Sequence, residues 1–555
     1  MVVLIDIAVA MRDGVRLATD LYLPGDRQRH PCLLQRVPYD RSQPAIVNGA
    51  LDVASAVRRG YAVAVQDCRG RFGSEGEFTP FVQEADDGED TVKWAAQQQW
   101  CNGSVAMFGR SYSGLAQWEV ASRRPPALKA IAPMLSGENV ASDWFATDGV
   151  FEWGFAALWG LRFLAPDALG RKDWPISATD FIGLVDRIDD LLLELPDACP
   201  SMVTQHLPFL ADWLPQHGLP RVIQSRVETV ATRGSSTGGS PSDPIPALVI
   251  GGWFDIFLRG CLRAYMRQSA NSQPSQSLIV GPWPHGAPMT GVFPDCTFGS
   301  TASAEAAGLS DRQLDWFDRW MRPSVSKVAP CTSWFHMGAN EWRSADAWPP
   351  ESDEVRLYLS GDEPTARALT FVPPSEPEHH PLEFDENHPV PTLGGQTFLP
   401  GLEVSGNAGP RDQQRLLARP DVLHYRGPQL TKKLDITGDV RLQLYLRPAL
   451  PGISIVARLA EERADGSLLL VCEGATRAAD ADTTAGGPVE VALLVGTTSH
   501  RFAVDSWIVL LLSNTSAPRF RRWVTALPPG KPRAGHSAVV CEPDRPSYLQ
   551  LPVTQ

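Results

Sequence analysis

The stretch Val105-Ala106-Met107-Phe108-Gly109-Arg110-Ser111-Tyr112-Ser113-Gly114 passes from a buried-strand pattern through a glycine-flanked serine into helical spacing at Leu115, Trp118 and Glu119. A serine at such a bend can act as a nucleophile. The turn must be sharp, so the position two before the serine needs almost no side chain, and Gly109 supplies that. The bend lifts the hydroxyl clear of the strands. It also sets the first N–H groups of the following helix beside it, where developing negative charge is stabilised. The usual pattern is G-x-S-x-G; here the residue two after Ser111 is Ser113, and Gly114 follows. A small Ser113 still fits beneath the turn. With Ser113 as nucleophile, Ser111 and Leu115 would occupy the cramped positions, so Ser111 is preferred. Taken alone, the motif reads equally as an ordinary strand-to-helix turn holding two serines.

A serine of this kind needs a base, and the base an orienting acid. Two later apolar runs end on such residues: Pro246-Ala247-Leu248-Val249-Ile250-Gly251-Gly252-Trp253-Phe254 delivers Asp255, and Ser277-Leu278-Ile279-Val280-Gly281-Pro282-Trp283-Pro284 delivers His285. Singly, an Asp after a strand is usually a helix cap and a lone His a surface or hydrogen-bonded residue. Together, Ser111, Asp255 and His285 stand at three strand ends in the nucleophile, acid, histidine order of α/β hydrolases. The implied chemistry is acyl transfer through a covalent serine intermediate.

The elements that must position these residues read as alternating strands and helices. Val15 to Tyr22 alternates after a turn at Arg12-Asp13-Gly14, Cys32 to Val37 and Tyr61 to Val65 are apolar runs, and Glu84 to Gln98 has the acidic first turn and apolar stripe of a helix. Strands separated by helical patterns imply βαβ units and a largely parallel sheet, with ligand chemistry at the carboxyl ends of strands. The first hydrolase segment is expected over residues 1–137, with Ala127 to Met134 its last strand. A helical cap without strands is expected over 138–240, from the patterns Trp144 to Leu164 and Phe181 to Leu195, joined back to the sheet by Arg233 to Pro241. The hydrolase domain resumes over 241–325. Cap residues Trp144, Phe145, Trp153 and Trp159 are expected to line an aromatic pocket over the serine, although an aromatic stripe at helical spacing also serves as plain core. Residues 326–555 hold short β-rich runs separated by turn residues, among them Leu434 to Leu446 and Trp507 to Leu512, and read as an antiparallel sandwich or jelly roll. Within it, Pro373 to Pro410 reads as a solvated loop; its His379, His380 and His388 have no metal-ligand spacing.

Composition narrows the function classes. The 50 basic and 63 acidic side chains leave a net charge of −13, which argues against nucleic acid as a partner. The nine cysteines are irregularly spaced with no C-x-x-C pair, which fits reduced thiols in the cytoplasm; Cys101, before the elbow, reads as buried and structural. The opening Met1 to Gly14 lacks a basic n-region and is interrupted by Asp6, so it reads as a strand and turn, and no run reaches the ~18 apolar residues of a membrane span.

The motifs Met11-Arg12-Asp13-Gly14, Pro38-Tyr39-Asp40, Asp67-x-Arg69-Gly70-x-x-x-Ser74-Glu75-Gly76, Gly109-x-Ser111-Tyr112-x-Gly114, Gly252-Trp253-Phe254-Asp255 and Gly281-Pro282-Trp283-x-His285 resemble, in this order, the cocaine esterase and X-Pro dipeptidyl-peptidase family of serine hydrolases. The resemblance runs over nearly the whole chain. It implies an α/β-hydrolase domain with a helical cap and a C-terminal jelly roll. It also implies Ser111 as nucleophile, His285 as base, Asp255 as orienting acid, and the Tyr39 hydroxyl with the Tyr112 backbone N–H as oxyanion donors. No metal or cofactor is implied, the partner is a small-molecule acyl substrate, and a homodimer is consistent with the family's habit of self-association. Family members that recognise a free α-amino group carry carboxylates just after the triad aspartate. Ile256-Phe257-Leu258 is apolar instead, and Phe257 resembles an acyl-pocket aromatic. The implied activity is hydrolysis of a hydrophobic or aromatic carboxylic ester, with amide or X-Pro dipeptide cleavage and acyl transfer to another acceptor as alternatives. Arg110 either faces a substrate carboxylate or pairs with an acid such as Glu119.

Overall fold

The structure is a computed structural model that describes residues 1–194, 201–213, 245–269, 275–286, 288–322, 324, 331–361, 367–385, 388–398, 407–449, 452–478, 487–520 and 534–554. Its first half is built on strands β1 (Val2–Ala10), β2 (Arg16–Leu23), β3 (His30–Val37), β4 (Ala62–Asp67), β5 (Cys101–Arg110) and β6 (Leu128–Met134). Between them lie helices α1 (Pro44–Val47), α2 (Val53–Arg58), α3 (Glu84–Gln97) and α4 (Tyr112–Arg123). A two-residue hairpin, β7 (Ala146–Thr147) and β8 (Val150–Phe151), precedes β9 (Ala247–Phe254), β10 (Gln276–Pro284), β11 (Thr332–His336) and β12 (Glu341–Ala345). The main sheet runs β1-β2-β4-β3-β5-β6-β9-β10-β11-β12. From β4 through β11 neighbouring strands are parallel, and the antiparallel pairs lie at the two margins.

Helices on both faces explain the sequence of the central strands. Every residue of β4, β9 and β10 is buried, so these strands read as continuous apolar runs instead of alternating ones. Val92 and Ala95 of α3, Trp118 and Val120 of α4 and Leu262 of the helix Leu258–Ser269 share one core with Met107 of β5. On the other face, Ala56 and Val57 of α2 and Leu314 and Phe317 of the helix Leu309–Met321 pack on Phe108. The local signals are plain: Asp52 caps α2 by accepting from the N–H groups of Ala54 and Ser55, and Glu84, Asp86 and Asp87 place negative charge in the first turn of α3.

Three expectations are corrected. The main sheet does not stop at 325: β11 lies parallel to β10, with Leu278 opposite Thr332, and β12 closes the same sheet, burying Trp334 and Phe335 in its core. The pairing partner of a five-residue run is not encoded in the run itself. The segment after Met134 is not all helical, because a π-helical turn at Val140–Trp144 leads into the β7–β8 hairpin around Asp148-Gly149, both with positive φ (43° and 81°). Asp-Gly is the strongest short-range hairpin signal, and it was hidden among the aromatic spacing. Short helices and a second π-helical turn, Trp159–Leu164, follow. The connector Arg233 to Pro241 lies outside the described residues.

The second sheet comprises β13 (Asp353–Ser360), β14 (Ala368–Thr370), β15 (Glu378–Asp385), β16 (Leu423–Arg426), β17 (Leu434–Arg447), β18 (Ser454–Glu462), β19 (Leu468–Arg477), β20 (Val489–Phe502), β21 (Trp507–Ser513), β22 (Ala534–Cys541) and β23 (Tyr548–Thr554). Its order is β15-β22-β17-β23-β13-β14-β16-β21-β18-β19, with β20 on β17. Alternation does the work here: Val440, Leu442, Leu444 and Leu446 of β17 point inward and meet Ile455, Leu459, Leu510 and Leu512 in one core. The third correction falls in this region. The described residues of 373–410 do not form a solvated loop: β15 pairs with β22, its His380 is buried and hydrogen-bonded to the Tyr425 hydroxyl at 2.8 Å, and Thr392, Gln396 and Thr397 are buried.

Candidate active site

Ser111 sits at the junction of β5 and α4 with φ +59° and ψ −123°, a conformation that costs a non-glycine residue on the order of 1–3 kcal/mol. The surroundings hold it there. Its N–H donates to the Met134 carbonyl at 2.9 Å, and its own carbonyl accepts from the N–H groups of Gly114 and Leu115 at 2.8 and 3.1 Å. Gly109 has φ +142°, and a Cβ there would lie 2.5 Å from the Ser113 Cβ; one on Gly114 would lie 2.5 Å from the Ser136 Cβ. Both small-residue requirements of the bend are therefore met, with Ser113 nested under Gly109.

Parallel strands deliver the other two groups to the same sheet edge. His285 follows β10 directly, and its Nε2 lies 3.0 Å from the Ser111 Oγ. Asp255 follows β9 and is wholly buried, with its Oδ1 2.6 Å from the His285 Nδ1. A carboxylate only accepts, so Nδ1 carries the proton and Nε2 presents its lone pair to the serine hydroxyl. The rings of Phe257 and Phe398 stand edge-on to the imidazole, each with its centroid 5.1 Å away. The buried imidazole thus has a carboxylate on one side and an activatable hydroxyl on the other.

Tyr39, just past β3, accepts a hydrogen bond from the Trp159 Nε1 at 2.9 Å. Burial pushes its phenol above the ordinary value, opposed by the Trp159 N–H, by the charges of Arg71 and Arg110 and by the Ser111 hydroxyl. The phenol is therefore a neutral O–H donor beside the nucleophile. Tyr112 opens α4, and its side chain is tied down away from the reaction: the hydroxyl accepts from the Phe81 N–H at 2.8 Å and donates to Glu84 at 3.0 Å.

The five expected pocket aromatics divide. Phe257 and Trp159 touch His285 and Tyr39 respectively, and Trp144 backs Phe257 at a centroid distance of 4.3 Å. Phe145 packs on Phe81 and Trp213, and Trp153 on Phe151. All five are buried. Arg110, half-buried, acts on the Tyr39 phenol. Cys101 is buried at the opposite end of β5 from Ser111, and burial pushes its thiol up.

Three functional neighbours were not foreseen. Phe398 comes from the stretch read as solvent-facing, and Gln396 beside it donates to the Trp253 carbonyl at 3.0 Å, two residues before Asp255. Trp213 stacks on Trp159 at 5.1 Å. Arg71, wholly buried, donates from Nε to the Pro38 carbonyl at 2.7 Å and from Nη1 to the Leu164 carbonyl at 2.9 Å. Its position inside the glycine-punctuated loop Asp67 to Gly76 was the available signal. That loop's other polar residues are structural: Ser74 donates to the Asp67 carbonyl, and Arg69 pairs with Asp13 and Asp87. Among the described residues no group of three or more His, Cys, Asp or Glu could hold a metal ion, and no helix is long and apolar enough to cross a membrane.

An imidazole held between a buried carboxylate and a strained serine is the apparatus of a serine hydrolase. Comparison with known proteins agrees. Residues 13–287 match the family model of the X-Pro dipeptidyl-peptidase (S15 family), and residues 324–550 that of the X-Pro dipeptidyl-peptidase C-terminal non-catalytic domain, a span that takes in β11 and β12. A cocaine esterase of Rhodococcus sp. (strain MB1 Bresler) is 32% identical over 542 residues, covering 93% of this chain and 91% of its own. Two solved structures share the fold: an aminopeptidase from a marine sediment Thaumarchaeota archaeon (TM-score 0.75, 19% identity, 100% of this chain and 96% of that one) and an α-amino acid ester hydrolase (TM-score 0.73, 23% identity, 100% and 96%). The chain belongs to the cocaine esterase and X-Pro dipeptidyl-peptidase family of serine hydrolases.

Proposed function

We propose that the protein hydrolyses a carboxylic ester of a hydrophobic or aromatic small molecule through an acyl-enzyme on Ser111. The observation that carries this reading is the relay from Asp255 through His285 to Ser111, at 2.6 and 3.0 Å, set beneath the apolar rings of Phe257 and Phe398. His285 takes the Ser111 proton as the oxygen attacks the acyl carbonyl, and Asp255 keeps the imidazole in the productive tautomer. The Tyr39 O–H and the Tyr112 backbone N–H receive the oxyanion. His285 then protonates the leaving alkoxide, and water activated by the same imidazole releases the acid. In this reading the framework is an α/β-hydrolase domain with a helical cap, followed by a jelly roll.

An ester is favoured over an X-Pro peptide because a free α-amino group needs an unengaged carboxylate. Among the described residues, Asp143 is paired with Arg263, Glu152 with Arg519 and Asp167 with Arg71, and Ile256-Phe257-Leu258 after Asp255 is apolar. The rhodococcal cocaine esterase, similar over most of its length, supports the same choice. The test is turnover of aryl acetate, butyrate and benzoate beside an X-Pro anilide, with Ser111→Ala as control. Ester turnover lost in the variant supports the reading; cleavage of the anilide alone overturns it in favour of the peptidase, and an acyl-enzyme discharged only by added amine or alcohol does so in favour of acyl transfer.

A further inference from the structure

We propose that Trp159 is the positioning residue of the oxyanion site: its indole N–H occupies one face of the Tyr39 oxygen and so aims the phenol proton at the substrate. The inference rests on the oxyanion role given to Tyr39 above. An indole nitrogen donates and cannot accept, so the 2.9 Å bond between Trp159 Nε1 and the Tyr39 hydroxyl runs in one direction only. A phenol proton prefers the plane of its ring, where it has two positions. With one side of the oxygen taken by the indole N–H, the proton is left to the other side, and the Ser111 hydroxyl is among the neighbours that remain.

The arrangement is fixed from both ends. Trp159 is fully buried and stacked on Phe155, at 5.4 Å and 11°, and on Trp213, at 5.1 Å and 14°. The Arg71 guanidinium ties the two partners' backbones together: one nitrogen holds the carbonyl of Pro38, the residue before Tyr39, and two hold the carbonyls of Phe163 and Leu164 at the end of the turn that Trp159 begins. Trp159 thus acts on the reaction through Tyr39.

The experiment is a double-mutant cycle with an aryl butyrate: wild type, Tyr39→Phe, Trp159→Phe and the double variant, each with its thermal midpoint. Tyr39→Phe is expected to lower kcat by ~10²–10³. Trp159→Phe keeps the stacked ring and loses the donor, and is expected to lower kcat about tenfold with KM within about twofold. In the Tyr39→Phe background it should change kcat less than about twofold, because the group it orients is gone. A full tenfold further loss there, or an unchanged kcat in Trp159→Phe alone, overturns the positioning role. An unchanged kcat in Tyr39→Phe overturns the oxyanion reading itself. Should Trp159→Phe fold poorly, 3-(3-benzothienyl)alanine at position 159, which keeps the indole outline without the N–H, carries the same test.

Discussion

Gly109→Ala tests how the nucleophile is held. The added Cβ meets the Ser113 Cβ at 2.5 Å, and both atoms are anchored to backbone, one on β5 and one in the first turn of α4, so neither can rotate away. Relief requires β5 and α4 to separate by about 1 Å, in a core where overpacking costs about 1–3 kcal/mol. The φ of +142° adds about 1–2 kcal/mol for a residue with a side chain. The sum, about 2–5 kcal/mol, should appear as a lowered urea midpoint. The shift of Ser111 relative to His285 should slow its labelling by a fluorophosphonate about 10²-fold, since a 1 Å misplacement of reacting groups has that effect. The second variant separates the two costs. Ser113→Gly in the Gly109→Ala background removes the collision and leaves the φ penalty, so it should recover the overpacking share less about 0.5–1 kcal/mol for glycine in a helix. Wild-type stability and labelling in Gly109→Ala, or no recovery in the double variant, would refute this account of the elbow.

Further predictions concern chemistry, walls and stability. Ser111→Ala should abolish ester turnover, and Asp255→Asn should lower kcat by ~10⁴ with little change in KM, read by steady-state kinetics. Phe398→Ala should lower kcat/KM about tenfold for a benzoate ester and less for an acetate, because the ring it removes stands against His285. Arg519→Met leaves Glu152 buried without its cation, while Glu473 keeps Arg458, and should cost about 3 kcal/mol in urea unfolding. His336 is held down to about 4, first by burial and then by the Arg343 charge, with Asp435 opposing. Between pH 6.5 and 4 the unfolded chain binds more protons at this site, so its contribution to stability is complete above 6.5 and falls with pH. The urea midpoint should drop across that window, and His336→Gln should flatten the drop.

Chemistry was more legible than context. Ser111, Asp255 and His285 each end an apolar run, and strand ends are where a parallel sheet presents side chains, so order and spacing carried them. What stayed hidden depended on pairing between distant segments. Nothing in Thr332–His336 says that it will lie against β10, and nothing near Phe398 says that it will stand against His285. The strand β15 was masked because its alternation buries a histidine, His380, beside Leu382 and Phe384. Trp153 and Phe145 satisfy the same aromatic spacing as Trp159, and only the fold shows that Trp159 meets Tyr39.

The stretch that carries Gln396 and Phe398 belongs to the non-catalytic half of the chain, yet it grips the strand of the aspartate and faces the imidazole. The imidazole thus has one aromatic neighbour from each half of the chain, Phe257 from the first and Phe398 from the second. A substitution at Phe398 therefore reaches the imidazole from the second half of the chain, while Ser111, Asp255 and His285 keep their own strands.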